Sequence, residues 1–284
     1  MTGANNKDKP FSSHQKLPST KIKVGVPKMK KITPFLGVVG LVASLFVANA
    51  HAKSIEEIQS SGKITIGTDG TFPPFQFFDN GKLSGFEIDV GNEVARRLGV
   101  TAEWKPMSFD SLLAGLSQDR WDIVIASFTV TDERAKAVHF TSPLYCSGGV
   151  VVSNKPEIKT AVDLSGKVVA AQTGSTYFQK AATIPGVKQV RNFASDSDAR
   201  NAMVSGRADA WITDKFVAKL SIDKQPTRGM AIGDFLFSEK IASAVKNGND
   251  GLAAAYDKAL ADMQSDGTYE KISKKWFNED IRCI

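Results

Sequence analysis

Short β-branched apolar runs recur along residues 53–284, each closed by polar residues and separated from the next by an amphipathic stretch. This alternation constrains the fold more than any other feature. Ile64-Thr65-Ile66-Gly67, Thr101 to Lys105, Trp121 to Ile125, Lys167 to Ala171 and Asp209 to Ile212 read as strands. Gly85 to Leu98, Phe109 to Leu116, Tyr177 to Ala182 and Asp196 to Val204 carry apolar residues at helical spacing. Strands alternating with helices predict an α/β fold with parallel sheet. Buried parallel strands present their C-terminal ends to a crevice where ligands bind. The residues just past each run are therefore the candidates for a site.

Trp121 to Ile125 leads into Ala126-Ser127-Phe128-Thr129-Val130-Thr131-Asp132-Glu133-Arg134. Ser127, Thr129 and Arg134 suit a carboxylate, because a guanidinium offers a planar fork of donors and two hydroxyls add neutral ones. Thr131 equally fits the N-cap of a short helix whose first turn holds Asp132, Glu133 and Arg134. The first strand leads to Asp69 and Phe72, either a polar acceptor and an apolar cover for a ligand, or a turn former and a core anchor. Gln172-Thr173-Gly174-Ser175-Thr176 precedes a helix, where free N–H groups and the helix dipole favour an anion, with Thr176 also fitting the N-cap. Asp214 follows the strand that ends at Thr213, placed to hold an ammonium or to cap the helix from Lys215. Gly148-Gly149 opens a β-rich segment that fits either a hinge between lobes or a bulged strand. Glu239 to Val245 reads as a return strand, followed by amphipathic helices around Leu252 to Met263 and from Gly267 to Trp276.

The chain's net charge of +6 does not describe this part of it. Residues 1–52 hold eight Lys and one Asp, so residues 53–284 are close to neutral and offer no basic surface for nucleic acid. Met29-Lys30-Lys31, the apolar run Ile32 to Val47 and the close Ala48-Asn49-Ala50-His51-Ala52 have the form of a secretory signal peptide cleaved after Ala52. Residues 1–28 read as an upstream extension, and a periplasmic protein is expected. The only His past that point is His139, which with two separated cysteines argues against a metal site or a His-activated nucleophile. Cys146 and Cys283 enter an oxidising compartment, where pairing is favoured.

Gly85-Phe86-Glu87-Ile88-Asp89-Val90, Thr129 to Arg134, Gly174-Ser175-Thr176, Arg207-Ala208-Asp209-Ala210 and Gly267-Thr268-Tyr269-Glu270-Lys271 occur in an order that resembles the extracellular solute-binding proteins of polar amino acid ABC transporters. These include the histidine-, lysine/arginine/ornithine- and glutamine-binding proteins. The resemblance implies the two-lobe periplasmic-binding-protein fold, with 53–147 plus 240–284 as one lobe and 148–239 as the other. It implies that a free amino acid is held between the lobes and passed to a membrane permease, with no cofactor or metal and as a monomer. Arg134 matches the clamp on the ligand α-carboxylate, helped by Ser127, Thr129 and the Thr176 backbone. Asp214 matches the acid that takes the α-ammonium. Phe72 and Phe109 match aromatics flanking the side chain, Asp69 a residue that meets its polar end, and Gln172 and Ser175 are further ligand-binding candidates. Ala126 replaces a Ser of the histidine- and lysine-binding members, and Gln172 and Thr213 replace a Lys and a His of the glutamine-binding ones, so neither pocket is reproduced. An uncharged polar or basic ligand is expected. The family's disulfide pattern does not match Cys146 and Cys283; a bridge between them would staple the tail to the first crossover. The runner-up is a periplasmic cyclohexadienyl dehydratase of the same fold, weighed down by the absence from the sequence of any carboxylate with a reason for a raised pKa.

Overall fold

The computed structural model describes residues 52–283; the expected upstream extension, 1–28, and the expected leader as far as His51 lie outside the described residues. The chain enters through α1 (Ile55–Ser61), started by a capping box between Ser54 and Glu57, and β1 (Lys63–Thr68). A small antiparallel sheet follows, β2 (Thr71–Phe72), β3 (Gln76–Asp79) and β4 (Lys82–Ser84). Asn80 and Gly81 both take positive φ between β3 and β4, as a tight hairpin turn demands. Next come α2 (Phe86–Arg97), β5 (Thr101–Pro106), a 3-10 turn at Phe109–Ser111, α3 (Leu112–Ser117), β6 (Ile123–Thr129) and α4 (Asp132–Ala135). The long β7 (Val138–Ser153) leads to β8 (Val168–Gln172), α5 (Thr176–Thr183), β9 (Gln189–Phe193), α6 (Asp196–Val204), β10 (Ala210–Asp214) and α7 (Lys215–Lys224). An equally long β11 (Ala231–Lys246) returns, and α8 (Asp250–Ser265) and α9 (Thr268–Phe277) close the chain.

The main sheet runs β5-β1-β6-β11-β7-β10-β8-β9. Its flanks, β5-β1-β6 and β10-β8-β9, are parallel, whereas β7 and β11 form an antiparallel pair through the middle. The expected α/β class with mixed and parallel strands is therefore what the chain adopts, and it is the two-lobe type. β7 meets the second half of β11 alongside β6 and the first half of β11 alongside β10, so the pair spans both parallel sets. Register shifts in this pair fall on β11 between Ile232 and Phe237, opposite the paired glycines, and again between Ile241 and Ala244. Gly148 and Gly149 lie inside β7, and a Cβ on either would overlap Phe237. They sit in a strand whose pairing is irregular there, in line with the bulged-strand reading, and they are glycines because the neighbouring strand approaches closely.

Part of the core is an aromatic cluster. Phe75 stacks on Tyr145 at 4.7 Å, and Phe86 meets the same ring edge-on at 5.7 Å. A second cluster of Leu112, Leu116, Trp121, Val124 and Phe128 packs with Phe109, whose ring stacks on Phe128 at 4.2 Å. Cys146 on β7 is disulfide-bonded to Cys283, as the oxidising compartment suggested. No helix among the described residues is long and apolar enough to cross a membrane.

Candidate ligand-binding site

The C-terminal ends of β1, β6 and β8 converge on one cavity with an empty volume of about 300 Å³, its opening included. Asp69, Phe72, Phe109, Ser127, Thr129, Arg134, Gln172, Ser175 and Thr176 all line it, together with Gln76, Ala126 and Tyr177. Parallel strands that end at one level bring together residues more than a hundred positions apart. A larger groove bordered by Val162, Pro185 and Phe235 lies elsewhere and gathers no comparable set of polar groups.

Arg134 rises from α4, which Thr131 caps as expected by accepting the Arg134 N–H. Its guanidinium lies over the Phe109 and Phe128 rings, 5.7 and 4.9 Å from their centroids. Nη1 donates to the Thr129 carbonyl and Nη2 to the Gly174 carbonyl, both at 2.9 Å, so the side chain links the two strand sets. A guanidinium has five N–H donors, and three remain. Burial pulls its pKa down while the charge of Glu239 opposes that shift. Ser175, rather than Thr176, caps α5 by accepting the Phe178 N–H, and its own proton goes to the Gln172 carbonyl. Thr176 is the first residue of the helix, so its backbone N–H is among those with no partner inside α5.

The hydroxyls were expected to donate to a ligand, and the structure gives them other partners. Thr129 Oγ1 donates to Glu239 Oε1 at 2.6 Å, and Thr176 Oγ1 donates to the same oxygen. Each hydroxyl has one proton, so both now present lone pairs to the cavity. Glu239, from β11, is 3% exposed and its Oε2 has no partner. Ser127 stands at φ +54, a left-handed backbone rare for a residue with a Cβ. Its N–H donates to Glu87 Oε1 at 2.9 Å, its Oγ lies 3.1 Å from Glu87 Oε2, and Tyr145 Oη donates to that Oγ at 2.9 Å.

Asp69 Oδ2 accepts from Thr71 at 2.8 Å and, across the cavity, from Gln172 Nε2 at 3.0 Å. Burial raises its pKa, opposed by those two bonds. Asp214 is the expected residue that does not reach the cavity wall. It is buried, capping α7 through the Phe216 and Val217 N–H groups and accepting the Ser147 hydroxyl. Burial, with the charge of Glu239, lifts its carboxyl to about 7. Burial lifts Glu87 further, to about 8. The sequence reading that no carboxylate had reason for a raised pKa is thus corrected: α2 buries Glu87 completely, which periodicity alone does not reveal. Gln76, Tyr177, Glu87 and Glu239 were all missed. Gln76 sits in a loop-like aromatic run, and Glu239, midway along β11, heads the run to Val245, a local irregularity that is the one available signal.

Residues 64–279 match the family model of bacterial extracellular solute-binding proteins, family 3. The chain belongs to this family. It is similar to the L-cystine-binding protein TcyJ of Escherichia coli, 36% identical over 85% of this chain and 95% of the relative. It is also similar to a solved ancestral arginine-binding protein bound to arginine, at 41% identity and a TM-score of 0.73, covering 76% of this chain and 98% of that one. A third likeness is the structure of an ancestral amino acid-binding protein described as a precursor of cyclohexadienyl dehydratase, at 34% identity and a TM-score of 0.73, with 78% and 99% covered. Family members of this kind are amino acid-binding proteins of ABC transporters, which supports the coarse function expected from the sequence.

Proposed function

We propose that the chain is the periplasmic receptor of an ABC importer, holding one L-amino acid with an uncharged polar or basic side chain and delivering it to a membrane permease. The observation that carries this reading is Arg134, with three unspent donors, facing a cavity beside the first turn of α5. The α-carboxylate goes to Arg134 and the Thr176 N–H. Phe72 and Phe109 flank the side chain, Asp69 with Gln172 meets its polar end, and Asp214 takes the α-ammonium by giving up the Ser147 hydroxyl and turning to the cavity it does not line here. With Arg134 committed to the α-carboxylate, the Asp69 carboxyl on the wall disfavours an acidic side chain.

Lobes of 53–147 plus 240–284 and of 148–239 close on the ligand about β7 and β11. Bonds from Arg134 to Gly174, Gln172 to Asp69, and Thr129 and Thr176 to Glu239 already connect the two strand sets. A ligand favours closure by as much as its differential affinity for the closed form, and that form is what the permease recognises. The leader is removed after Ala52, and the protein works as a monomer with no cofactor. Asp69, raised by burial and on the cavity wall, is the one feature favouring a dehydratase-like enzyme.

Thermal shift of the purified protein with the twenty amino acids, ornithine, citrulline, cystine, arogenate and prephenate tests both readings. A rise in Tm with a polar amino acid, abolished by Arg134→Ala, is expected. Affinity kept within threefold in that variant overturns the site, and turnover of arogenate or prephenate establishes the enzyme instead.

A further inference from the structure

Gln76 opens β3 directly opposite Phe72 of β2, and residues directly opposite on paired strands share a face. Both side chains accordingly reach the cavity that both line. Gln76 is 1% exposed, and neither Nε2 nor Oε1 has a hydrogen-bond partner. Among the described residues it alone has both ends of a side-chain amide buried and unpaired. Buried polar groups are paired almost without exception, and an orphaned one is costly to keep. An amide with both a donor and an acceptor unspent, on the wall of a ligand cavity, is complementary to a group that offers one of each. Its neighbour on the same wall, Asp69, takes both of its bonds at Oδ2 and leaves Oδ1 to accept a further N–H.

We propose that Gln76 reads the ligand side chain and selects one ending in a carboxamide or ureido group, an assignment that rests on the amino acid receptor reading above. Such a group gives an N–H to Gln76 Oε1, accepts from Gln76 Nε2 through its carbonyl, and has a second N–H for Asp69. A guanidinium or ammonium only donates, leaving Nε2 orphaned. A carboxylate only accepts, leaving Oε1 orphaned and bringing a second negative charge against Asp69. An aliphatic end leaves both amide atoms unmet. This extends the site beyond the α-amino and α-carboxylate anchors, which any amino acid satisfies, to the part that tells one amino acid from another. A buried polar group left without its partner discriminates between near-isosteric ligands far better than an apolar wall does.

Citrulline and arginine differ at one terminal atom pair, so calorimetric titration of the purified protein with these two and glutamine isolates the contact. The wild type is expected to bind citrulline or glutamine at least tenfold more tightly than arginine. Gln76→Leu should weaken citrulline and glutamine tenfold or more and arginine at least fivefold less than that. Gln76→Glu, which keeps the shape and turns the amide into an acceptor, should reverse the order of citrulline and arginine. It also serves where the Leu variant melts too early to be titrated. Equal loss for all three ligands, or a wild type that prefers arginine, overturns the assignment. Binding confined to amino acids outside this class overturns it too but leaves the receptor reading standing. A protein that binds no amino acid in the wider thermal-shift panel removes the receptor reading itself.

Discussion

Glu87 shows how a single buried carboxyl sets the chemistry of a cavity it does not line. Its Oε1 accepts the Ser127 N–H, and its Oε2 faces the Ser127 hydroxyl, which also accepts from Tyr145. With Glu87 ionised, Ser127 must donate to it; with Glu87 protonated, the Glu donates and the Ser127 proton is released for the cavity. Burial, reinforced by the charge of Asp214, raises Glu87 to about 8 from its model-peptide range near 4.5. The folded state therefore holds a proton that the unfolded chain has already lost at neutral pH. The resulting stability is fully present below about 4.5 and is lost as pH rises through about 8. Glu87→Gln reproduces the protonated arrangement, with Nε2 donating to Ser127, and cannot ionise. The variant should match the wild type in urea melts at pH 5 and gain on it steadily up to pH 9. A constant offset across that range would show that Glu87 is charged throughout. Asp214→Asn tests the second raised group in binding, since Asn still caps α7 while losing the charge. If Asp214 holds the ligand ammonium, wild-type affinity should climb as pH rises through about 7, and the Asn variant should lose at least tenfold at pH 8 and lack that climb.

Among the elements, the β7 and β11 pair has the least freedom in its sequence. Gly148 sits where a Cβ would overlap the backbone carbonyl of Phe237, and a carbonyl in a paired strand cannot step aside. Gly148→Ala should cost about 1–3 kcal/mol in chemical denaturation. Gly251, in the first turn of α8, meets only one side-chain methyl at 3.9 Å, so Gly251→Ala should stabilise by about 0.5–1 kcal/mol. The opposite signs are the test: a gain at Gly148 would mean that β11 yields there. The same pair marks where the sequence was legible and where it was not. The β-branched runs at Ile64, Ile123 and Val168 declared buried parallel strands, and Thr131 and Asp214 declared caps, because those signals are local. Nine of the ten candidate residues share the cavity; most of them follow strand ends, whereas Phe109 comes from the family resemblance and Arg134 stands on the short helix α4. Gln76 and Glu239 escaped because their meaning depends on which residues lie across a sheet or a cleft. Gln76 carries no local pattern that distinguishes it from a solvent-facing residue, and Glu239 only its place at the head of an apolar run.

On the scale of the whole molecule, the bridge between Cys146 and Cys283 closes a loop of 137 residues, which contains all of β8 to β10, β11, α8 and α9. Cys146 lies next to Ser147, the donor to Asp214, and its N–H is held by the Ile281 carbonyl, so tail and crossover strand are joined by the bridge and a backbone bond. A cross-link of this span removes much of the unfolded chain's freedom while leaving native contacts intact. The tail is further secured by Ser273, which donates to the Glu279 carbonyl and accepts the Ile281 N–H, and by buried Ile281. These bonds do not pass through the bridge and stay available to the tail when it is reduced. Replacing both cysteines by serine should therefore lower stability by about 2–5 kcal/mol in urea denaturation while ligand affinity stays within threefold. A matching loss of affinity would mean that the staple holds β7 in the closed register. Closure would then belong to the tail as much as to the cavity, and reducing conditions would open the receptor without unfolding it.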